Sequence, residues 1–323
     1  MRERNIGIDI LKFIAILMIT NSHMGLLYGK YAALATGGAM GNALFFFCSG
    51  FTLFLKPFDG PLGFPNWYKK RINRIYPSVF AIAIVLCTFF GEWHNINDII
   101  INGGRWFVTL IMVYYVFLYF IGVYFRNKLK WVMAFAILAL LVWHYASGAK
   151  YPFADDGLSG KWFLYFIFML LGSKMGMMDT SRQERHQWRN LILGLASIAC
   201  YYVIVTVTIR VRSIFFLHIF AFVPLLTMTY FLYLWANGAW AKTIYNNRVG
   251  NFIIRFIGGM CLEIYLIQNS LYTDKMNFLF PLNLLIMFCI IVVAAYLLRC
   301  FARLISQTFK EAPYDWKKMV SLY

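Results

Sequence analysis

The sequence predicts an all-α fold, a polytopic transmembrane helical bundle of about ten helices, and three observations support it. Hydrophobic residues make up 61% of the 323-residue chain and charged residues only 13%, whereas soluble domains are about half apolar and about a quarter charged. Apolar runs recur along the whole chain, each close to the roughly 20 residues that a helix needs to cross a bilayer. Basic residues are distributed unequally between alternate loops, which predicts that both termini are cytoplasmic.

The apolar runs define the spans, because in hydrocarbon a helix satisfies its own backbone N–H and C=O groups. The first run is longer than the apolar core of a signal peptide, about 7–15 residues, so we expect it to remain as a span. We expect residues 1–306 to form the transmembrane domain and residues 307–323 to form a cationic cytoplasmic tail on the membrane surface. The predicted spans are residues 6–28, 37–55, 75–91, 105–125, 131–148, 160–178, 190–209, 213–235, 251–272 and 279–301.

The net charge of +17 follows from this topology rather than from nucleic-acid binding. With the N-terminus inside, most of the 30 basic residues fall in cytoplasmic segments, as the positive-inside rule requires. The expected partner is therefore a lipid bilayer and not a nucleic acid. Lys12 lies within the first span, and the opposite side carries only Lys30, Arg105, Lys150, Lys161, Arg210, Arg212 and Lys275. All six cysteines fall in predicted spans, so we expect no disulfide framework.

The first span contains ionisable residues, which are costly in a membrane and are by default functional or paired. Asp9 and Lys12 are three residues apart, so they share a helix face and can neutralise each other. His23 lies about 21 Å further along the helix axis than Asp9, near the outer surface. It is either an interfacial histidine or a general base, because imidazole titrates near neutral pH. Its neighbours Asn21 and Ser22 are candidates to line an acceptor pocket.

A dense cationic cluster precedes the third span, in the stretch FPNWYKKRINRIYPS. Arg71 and Arg74 share a helix face, and two guanidinium groups at that spacing suit a phosphate. Lys69 and Lys70 extend the cluster, although anchoring to anionic lipid would also explain lysines here. Pro77 is expected near the start of the helix, where its missing N–H costs nothing.

Further polar residues are candidates for substrate contact or structural support. The second span, GAMGNALFFFCSGF, is rich in glycine and serine and predicts close helix packing that includes Ser49. Arg105 and Trp106 are expected at the outer interface, with Arg105 alternatively facing a cavity. Glu263 and Gln268 are polar groups in an apolar span, so we expect them to face the bundle interior as pairing partners or as a polar lining.

Several histidines and arginines are predicted on or near the outer half of the bundle, where they could bind an anionic or sugar ligand. No His-x-x-x-His or similar spacing occurs among them, so no metal is expected. These residues are His23, His94, His144, His218, Arg210 and Arg212.

Five segments occur here in the order and spacing of one known family. They are Asp9-Ile-Leu-Lys12 followed by Ala15 and His23, the aromatic Ser-Gly segment Phe45–Phe51, Arg71-Ile-Asn-Arg74-Ile-Tyr76-Pro77, Arg105-Trp106-Phe107, and Gly258–Gln268. The pattern resembles the acyltransferase-3 family of bacterial membrane proteins, which acylate sugars of cell-envelope polysaccharides. The resemblance covers residues 9 to about 270.

Three positions depart from the pattern of that family. Lys12 replaces a usual arginine, which keeps the charge and loses a bidentate contact. Cys261 replaces a serine, and Gln268 replaces a frequent histidine. The last change leaves His23 as the only candidate base that the resemblance supports.

The resemblance implies an O-acyltransferase of the bacterial inner membrane. It would move an acyl group, acetyl or another small acyl, from cytoplasmic acyl-CoA to a sugar hydroxyl of a lipid-linked or exported polysaccharide. In this interpretation His23 is the catalytic base, and the CoA phosphates bind Arg71, Arg74, Lys69 and Lys70.

Two other classes of membrane protein remain open at this point. A transporter of a small anionic or sugar solute would also have many helices and buried polar groups, but no internal duplication relates residues 1–160 to residues 161–323. A structural or lipid-flipping membrane protein is favoured only by the apolar bulk of the chain.

Overall fold

A computed structural model describes residues 5–148, 159–178 and 186–322, and this part of the chain is predominantly α-helical. The α-helices are α1 (Ile6–His23), α2 (Gly25–Tyr28), α3 (Gly38–Phe54), α4 (Phe64–Phe90), α5 (Ile96–Asn102), α6 (Arg105–Tyr124), α7 (Leu129–Ala146), α8 (Ser159–Met177), α9 (Gln187–Arg210), α10 (Phe222–Ala236), α11 (Ala239–Asn246), α12 (Arg248–Gly259), α13 (Cys261–Ile267), α14 (Leu282–Thr308) and α15 (Trp316–Met319). Segments of 3₁₀ helix cover Gly29–Leu34, Pro61–Gly63, Arg126–Lys128, Arg212–Ala221, Gln268–Ser270 and Asn277–Leu279.

The number of helices that can cross a membrane agrees with the prediction of about ten. Within the described residues, 7 helices are long and apolar enough to span a bilayer, and up to 9 spans result if each of two bent pairs is one span. Gly25–Leu34 and Gly38–Phe54 meet at 102°, and Arg248–Gly259 and Cys261–Ser270 meet at 56°. The remaining predicted span, residues 160–178, coincides with α8, which carries Lys161 and Lys174.

Two helix boundaries differ from the sequence prediction in ways that matter for function. α1 ends at His23 instead of continuing to residue 28, because the chain turns at Met24 into α2. α4 begins at Phe64, with Pro65 in its first turn, so the expectation that Pro77 lies near a helix start is wrong. Pro77 lies inside α4, where it removes one backbone hydrogen bond. The cationic cluster therefore lies on a continuous helix.

The chain divides into two compact units, a division that the sequence did not predict. The first unit comprises Met1–Ala15, Ala39–Asp59 and Phe117–Phe252, and the second unit comprises Ile16–Gly38, Gly60–Val116 and Ile253–Tyr323. The described part of the tail belongs to the second unit, where the hydroxyl of Tyr296 on α14 donates a hydrogen bond to the Val320 carbonyl at 2.7 Å.

Close backbone crossing holds the first unit together. A Cβ atom added at Gly50 on α3 would lie 1.9 Å from the Met169 carbonyl oxygen on α8. Gly172 on α8 is equally close to α3, since its Cβ would lie 2.0 Å from the Phe47 carbonyl oxygen. The Phe47 ring also packs on Tyr233 of α10, with centroids 5.3 Å apart. The predicted packing role of the small residues in the second span is confirmed at Gly50.

The second unit is built around α4, α13 and α14, which pack against one another. Ile75 and Val79 of α4, Ile264 of α13 and Leu298 of α14 are buried in it. These three helices carry the cationic cluster Lys69–Arg74, Glu263 and Arg299, respectively.

Candidate functional site

Most of the predicted site residues lie in the second unit. It holds Asn21, Ser22, His23, Lys69, Lys70, Arg71, Arg74, Arg105, Trp106, Glu263 and Gln268. The first unit holds Asp9, Lys12 and Ser49. The predicted base and the predicted phosphate-binding residues therefore belong to one compact body.

His23 is the last residue of α1, and its side chain is exposed. The next residue, Met24, is buried and begins the turn into α2. Because the imidazole lies at the end of a rigid helix and outside the packed core, a hydroxyl-bearing ligand can approach it directly. This is the position that a general base needs.

Asn21 and Ser22 hold the chain that follows His23. The Asn21 side-chain amide donates hydrogen bonds to the carbonyls of Leu34 at 3.0 Å and Thr36 at 2.9 Å. Its Oδ1 accepts a hydrogen bond from the Tyr28 hydroxyl at 2.6 Å. Ser22 Oγ donates to the carbonyl of Ile19, one turn earlier, at 2.7 Å. These contacts close the loop next to His23 and fix the end of α1.

A second group of polar residues lies one turn before His23. The hydroxyl of Tyr272 lies 3.3 Å from both the Thr20 carbonyl oxygen and Gln268 Oε1, and it can donate to either. Burial raises the pKa of the Tyr272 phenol, so it stays protonated and remains a donor. Thr20 and Gln268 are buried, and Gln268 Nε2 has no hydrogen-bond partner among the described residues. Gln268 therefore faces the interior, as predicted.

The cationic cluster Lys69, Lys70, Arg71 and Arg74 lies in the first half of α4. Lys69, Lys70 and Arg74 are exposed, whereas Arg71 is half-buried. The Arg71 guanidinium lies over the Trp67 ring, 4.7 Å from its centroid, and Trp67 packs edge-on against Tyr115 of α6 at 6.0 Å. Its Nε atom is buried without a hydrogen-bond partner among the described residues. Such a stacked, partly unsatisfied guanidinium suits an anionic ligand.

Glu263 joins α13 to α4. It is 8% exposed, and one of its carboxylate oxygens accepts a hydrogen bond from Ser78 Oγ at 2.8 Å. Arg299 of α14 is close enough to Glu263 and to Arg74 for electrostatic interaction with both. Glu263 therefore faces the interior and has partners there, as predicted. The sequence treated Arg299 only as one of many cytoplasmic charges, and its place in an apolar 27-residue helix was the available signal.

Arg105 and Trp106 begin α6. Arg105 is half-buried and has φ of 56°, a left-handed conformation that costs a non-glycine residue about 1–2 kcal/mol. Trp106 packs edge-on against Phe107 at 6.1 Å, and Phe107 contacts Tyr265 of α13 at 5.3 Å. The start of α6 is thereby attached to the helix that carries Glu263.

Asp9 in the first unit has a partner that the sequence could not reveal. Its side chain is 5% exposed, and Oδ2 accepts a hydrogen bond from the Tyr245 hydroxyl of α11 at 2.9 Å. Lys12, one turn further along α1, is half-buried, and its pairing with Asp9 stays a prediction. Ser49 is half-buried beside the close helix crossing at Gly50.

Two of the predicted outer histidines also lie in the first unit. His144 Nε2 lies 3.2 Å from the Phe216 carbonyl oxygen, and His218 Nδ1 lies 2.7 Å from Thr208 Oγ1. Both imidazoles are buried. They are therefore buried and bonded within the helical packing, whereas His23 is exposed.

The helices and their polar interior define a multi-pass membrane protein. A family model described as an acyltransferase domain matches residues 5–300, and the chain belongs to this family, acyltransferase-3. Neither the search of curated proteins nor the search of solved structures finds a match. The family resemblance noted in the sequence is confirmed over nearly the whole chain, and the protein is a membrane acyltransferase by family.

Proposed function

We propose that this protein is an O-acyltransferase of the bacterial inner membrane. It transfers an acyl group, acetyl or another small acyl, from cytoplasmic acyl-CoA to a sugar hydroxyl of a cell-envelope or exported polysaccharide. The observation that carries the proposal is that His23, exposed at the end of α1, belongs to the same compact unit as the Arg71–Arg74 cluster.

The donor is assigned from the charge of the α4 cluster. Acyl-CoA carries a diphosphate and a 3′-phosphate, so it needs several cations arranged within a few ångströms. Lys69 and Lys70 supply exposed ammonium groups, and Arg71 and Arg74 supply guanidinium groups on one helix face. The Arg71 guanidinium stacks on Trp67 and is therefore oriented before a ligand binds. This orientation lowers the conformational entropy that the side chain loses on binding.

The acceptor step is assigned to His23. The imidazole takes the proton from the acceptor hydroxyl as the oxygen attacks the thioester carbonyl carbon. The C–S bond then breaks, CoA leaves as the thiolate, and the imidazolium returns the proton to that sulfur. General-base catalysis of this kind contributes typically about 10²–10⁴-fold in rate. Tyr272 and Asn21 hold the end of α1, so they position the imidazole and take no part in proton transfer.

The test compares two histidines of the second unit. We expect His23→Ala to lower transfer of labelled acetyl from acetyl-CoA to cell-surface polysaccharide by at least about 100-fold. His94→Ala is the matched control, because His94 is also exposed and lies 3.8 Å from Glu92 rather than at the end of α1. Expression and thermal stability are measured for both variants. Equal product from His23→Ala and wild type, at equal protein level, would refute the role of His23.

A transporter is the second candidate, because two spans are bent pairs, a feature that secondary transporters also show. The two functions differ in covalent chemistry. An enzyme releases free CoA thiol from acetyl-CoA in proportion to acylated product, and a transporter releases none. Thiol titration on purified protein supplied with acetyl-CoA and a sugar acceptor separates the two.

A further inference from the structure

Arg299 lies on α14, a predominantly apolar helix of 27 residues. It is half-buried on α14, and its Nη1 atom is buried without a hydrogen-bond partner among the described residues. A buried N–H that is left unbonded loses the hydrogen bonds it made to water, and the penalty is larger for a charged group. An arginine kept in this state by the fold requires an explanation.

The charges around Arg299 are mostly of the same sign. Arg74 and Arg303 lie within electrostatic range and repel it, and Glu263 is the carboxylate that attracts it. That carboxylate also accepts the hydrogen bond from Ser78. A single carboxylate does not neutralise three guanidinium groups, so this region has an excess of positive charge. In a medium of low dielectric constant such an excess is stabilised by an anion.

The fold leaves room for the guanidinium at the break between α12 and α13. A Cβ atom at Gly259 would lie 3.2 Å from Arg299 Nη1, a closer approach than most Cβ atoms make. Gly259 is the last residue of α12, and the chain bends by 56° there before α13 brings Glu263 inward. The break therefore brings Glu263 near Arg299 and leaves a glycine, without a side chain, beside its guanidinium.

We propose that Arg299 is a third guanidinium ligand for the donor and binds the diphosphate of acyl-CoA. This assignment rests on the proposed function. Glu263 and Ser78 are positioning residues that hold Arg299 toward Arg74, and they do not contact the donor.

Positions along α4 indicate which phosphate of CoA lies beside Arg299. Ser78 lies about 10 Å along the helix axis from Arg71. Arg299 is near Glu263, the partner of Ser78, so it is further than Arg71 from the exposed lysines. In CoA the 3′-phosphate lies on the adenosine ribose, whereas the diphosphate is joined to the pantetheine arm. A donor that enters arm first therefore places its diphosphate beside Arg299 and its 3′-phosphate near Lys69 and Lys70.

The test measures the affinity of purified full-length protein for CoA and for 3′-dephospho-CoA by titration calorimetry. We expect Arg299→Gln to weaken binding of both ligands by the same factor, about ten- to a hundredfold, because both retain the diphosphate. The Lys69→Gln, Lys70→Gln double variant should weaken CoA binding and leave 3′-dephospho-CoA binding unchanged. Glu263→Gln should weaken both ligands only severalfold, since it acts through Arg299.

Arg303→Gln is the matched control on the same helix. Arg303 lies one turn after Arg299 and donates hydrogen bonds to the carbonyls of Met319, at 3.2 Å, and Ser321. We expect this variant to weaken both ligands less than Arg299→Gln does, because its guanidinium is bonded to these carbonyls; an equal loss of affinity in the two variants would contradict the proposal. Arg299→Lys, which keeps the charge, should recover part of the lost affinity, and thermal unfolding establishes that each variant is folded.

The outcomes separate this proposal from the proposed function. If wild type binds neither ligand, the assignment of acyl-CoA as donor fails. If wild type binds CoA and folded Arg299→Gln binds it equally well, the assignment of the donor stands. In that case Arg299 is only the structural partner of Glu263, and the inference is wrong. If Arg299→Gln does not fold, Arg299→Lys and Glu263→Gln decide. Wild-type affinity for both ligands in these two variants would contradict the proposal.

Discussion

Two half-buried arginine environments show how differently the two units use charge. In the first unit, Arg126 donates to the carbonyls of Lys56 and Phe54, each at 3.1 Å, and its guanidinium lies over the Phe54 ring at 5.4 Å. In the second unit, Arg71 and Arg299 each keep a buried guanidinium nitrogen without a partner among the described residues. Arg126 therefore closes a loop, whereas Arg71 and Arg299 have N–H groups that can still bind a ligand.

Further groups of the first unit are bonded within its packing. The first unit pairs Asp9 with Tyr245 and His218 with Thr208, and it packs α3 on α8 through glycines. In the second unit, Arg299 lies within electrostatic range of Arg74, Arg303 and the buried Glu263. We interpret the first unit as scaffold and the second as the unit that binds the donor.

The largest expected effect is on the scaffold. Gly50→Ala places a Cβ atom 1.9 Å from the Met169 carbonyl oxygen, so backbone must shift. We expect a loss of about 3 kcal/mol or more, seen as loss of folded protein in thermal unfolding. Gly194→Ala is the control, because its nearest neighbour is the flexible end of the Leu232 side chain, at 3.1 Å. Equal stability of the two variants would contradict the close crossing.

The next prediction compares substitutions of Arg126 and Arg71. We expect Arg126→Gln to lower the free energy of unfolding by about 1–3 kcal/mol, because two carbonyls lose their donor, and to leave CoA affinity unchanged. Arg71→Gln should do the opposite, with CoA affinity falling about tenfold and stability little changed. Chemical unfolding and calorimetric titration are run on both. A fall in CoA affinity for Arg126→Gln equal to that for Arg71→Gln would remove the distinction between the units.

Tyr245→Phe tests the buried pair of the first unit. It leaves the Asp9 carboxylate without this donor, and we expect a loss of about 1–3 kcal/mol in stability. A double-mutant cycle with Asp9→Asn isolates the pair, since the second change should cost less once the first is made. Strictly additive effects would show that the hydrogen bond contributes nothing.

The smallest effect concerns Tyr272, whose pKa is raised by burial. In the unfolded chain a tyrosine ionises near pH 10, whereas the folded protein retains this proton. The contribution of Tyr272 to the free energy of unfolding is therefore fully present below about pH 10. It decreases as the pH rises above that value, because the unfolded chain then loses the proton. Tyr272→Phe should reduce the loss of stability between about pH 9 and pH 11. An identical pH profile for wild type and variant would contradict the burial of the phenol.

The sequence predicted the features that depend on local pattern. Apolar runs predicted the spans, and polar residues in one of those spans predicted an interior position for Glu263 and Gln268, which the structure confirms. The boundary of α4 was missed because Pro77 is normally a sign of a helix start, whereas here the packing against α13 and α14 maintains the helix around it.

The pairings themselves could not be predicted. Asp9 bonds to Tyr245, 236 positions away, and Ser78 bonds to Glu263, 185 positions away. Such contacts depend on which helices pack together, and one sequence carries no periodic signal for that. Arg299 lies in an apolar helix, which was a signal in the sequence, but its neighbours Glu263 and Arg74 lie on other helices and could not be predicted.

The most direct test of the division between scaffold and donor-binding unit is to locate bound CoA chemically. Purified protein is irradiated with a CoA analogue that carries a diazirine on its adenine ring, with and without excess CoA, and labelled peptides are identified by mass spectrometry. We expect displaceable labelling of the second unit in α4, around Lys69–Arg74, because the adenosine carries the 3′-phosphate that these lysines bind. Displaceable labelling confined to the first unit, in Phe117–Ala146 or Gln187–Phe252, would contradict the account.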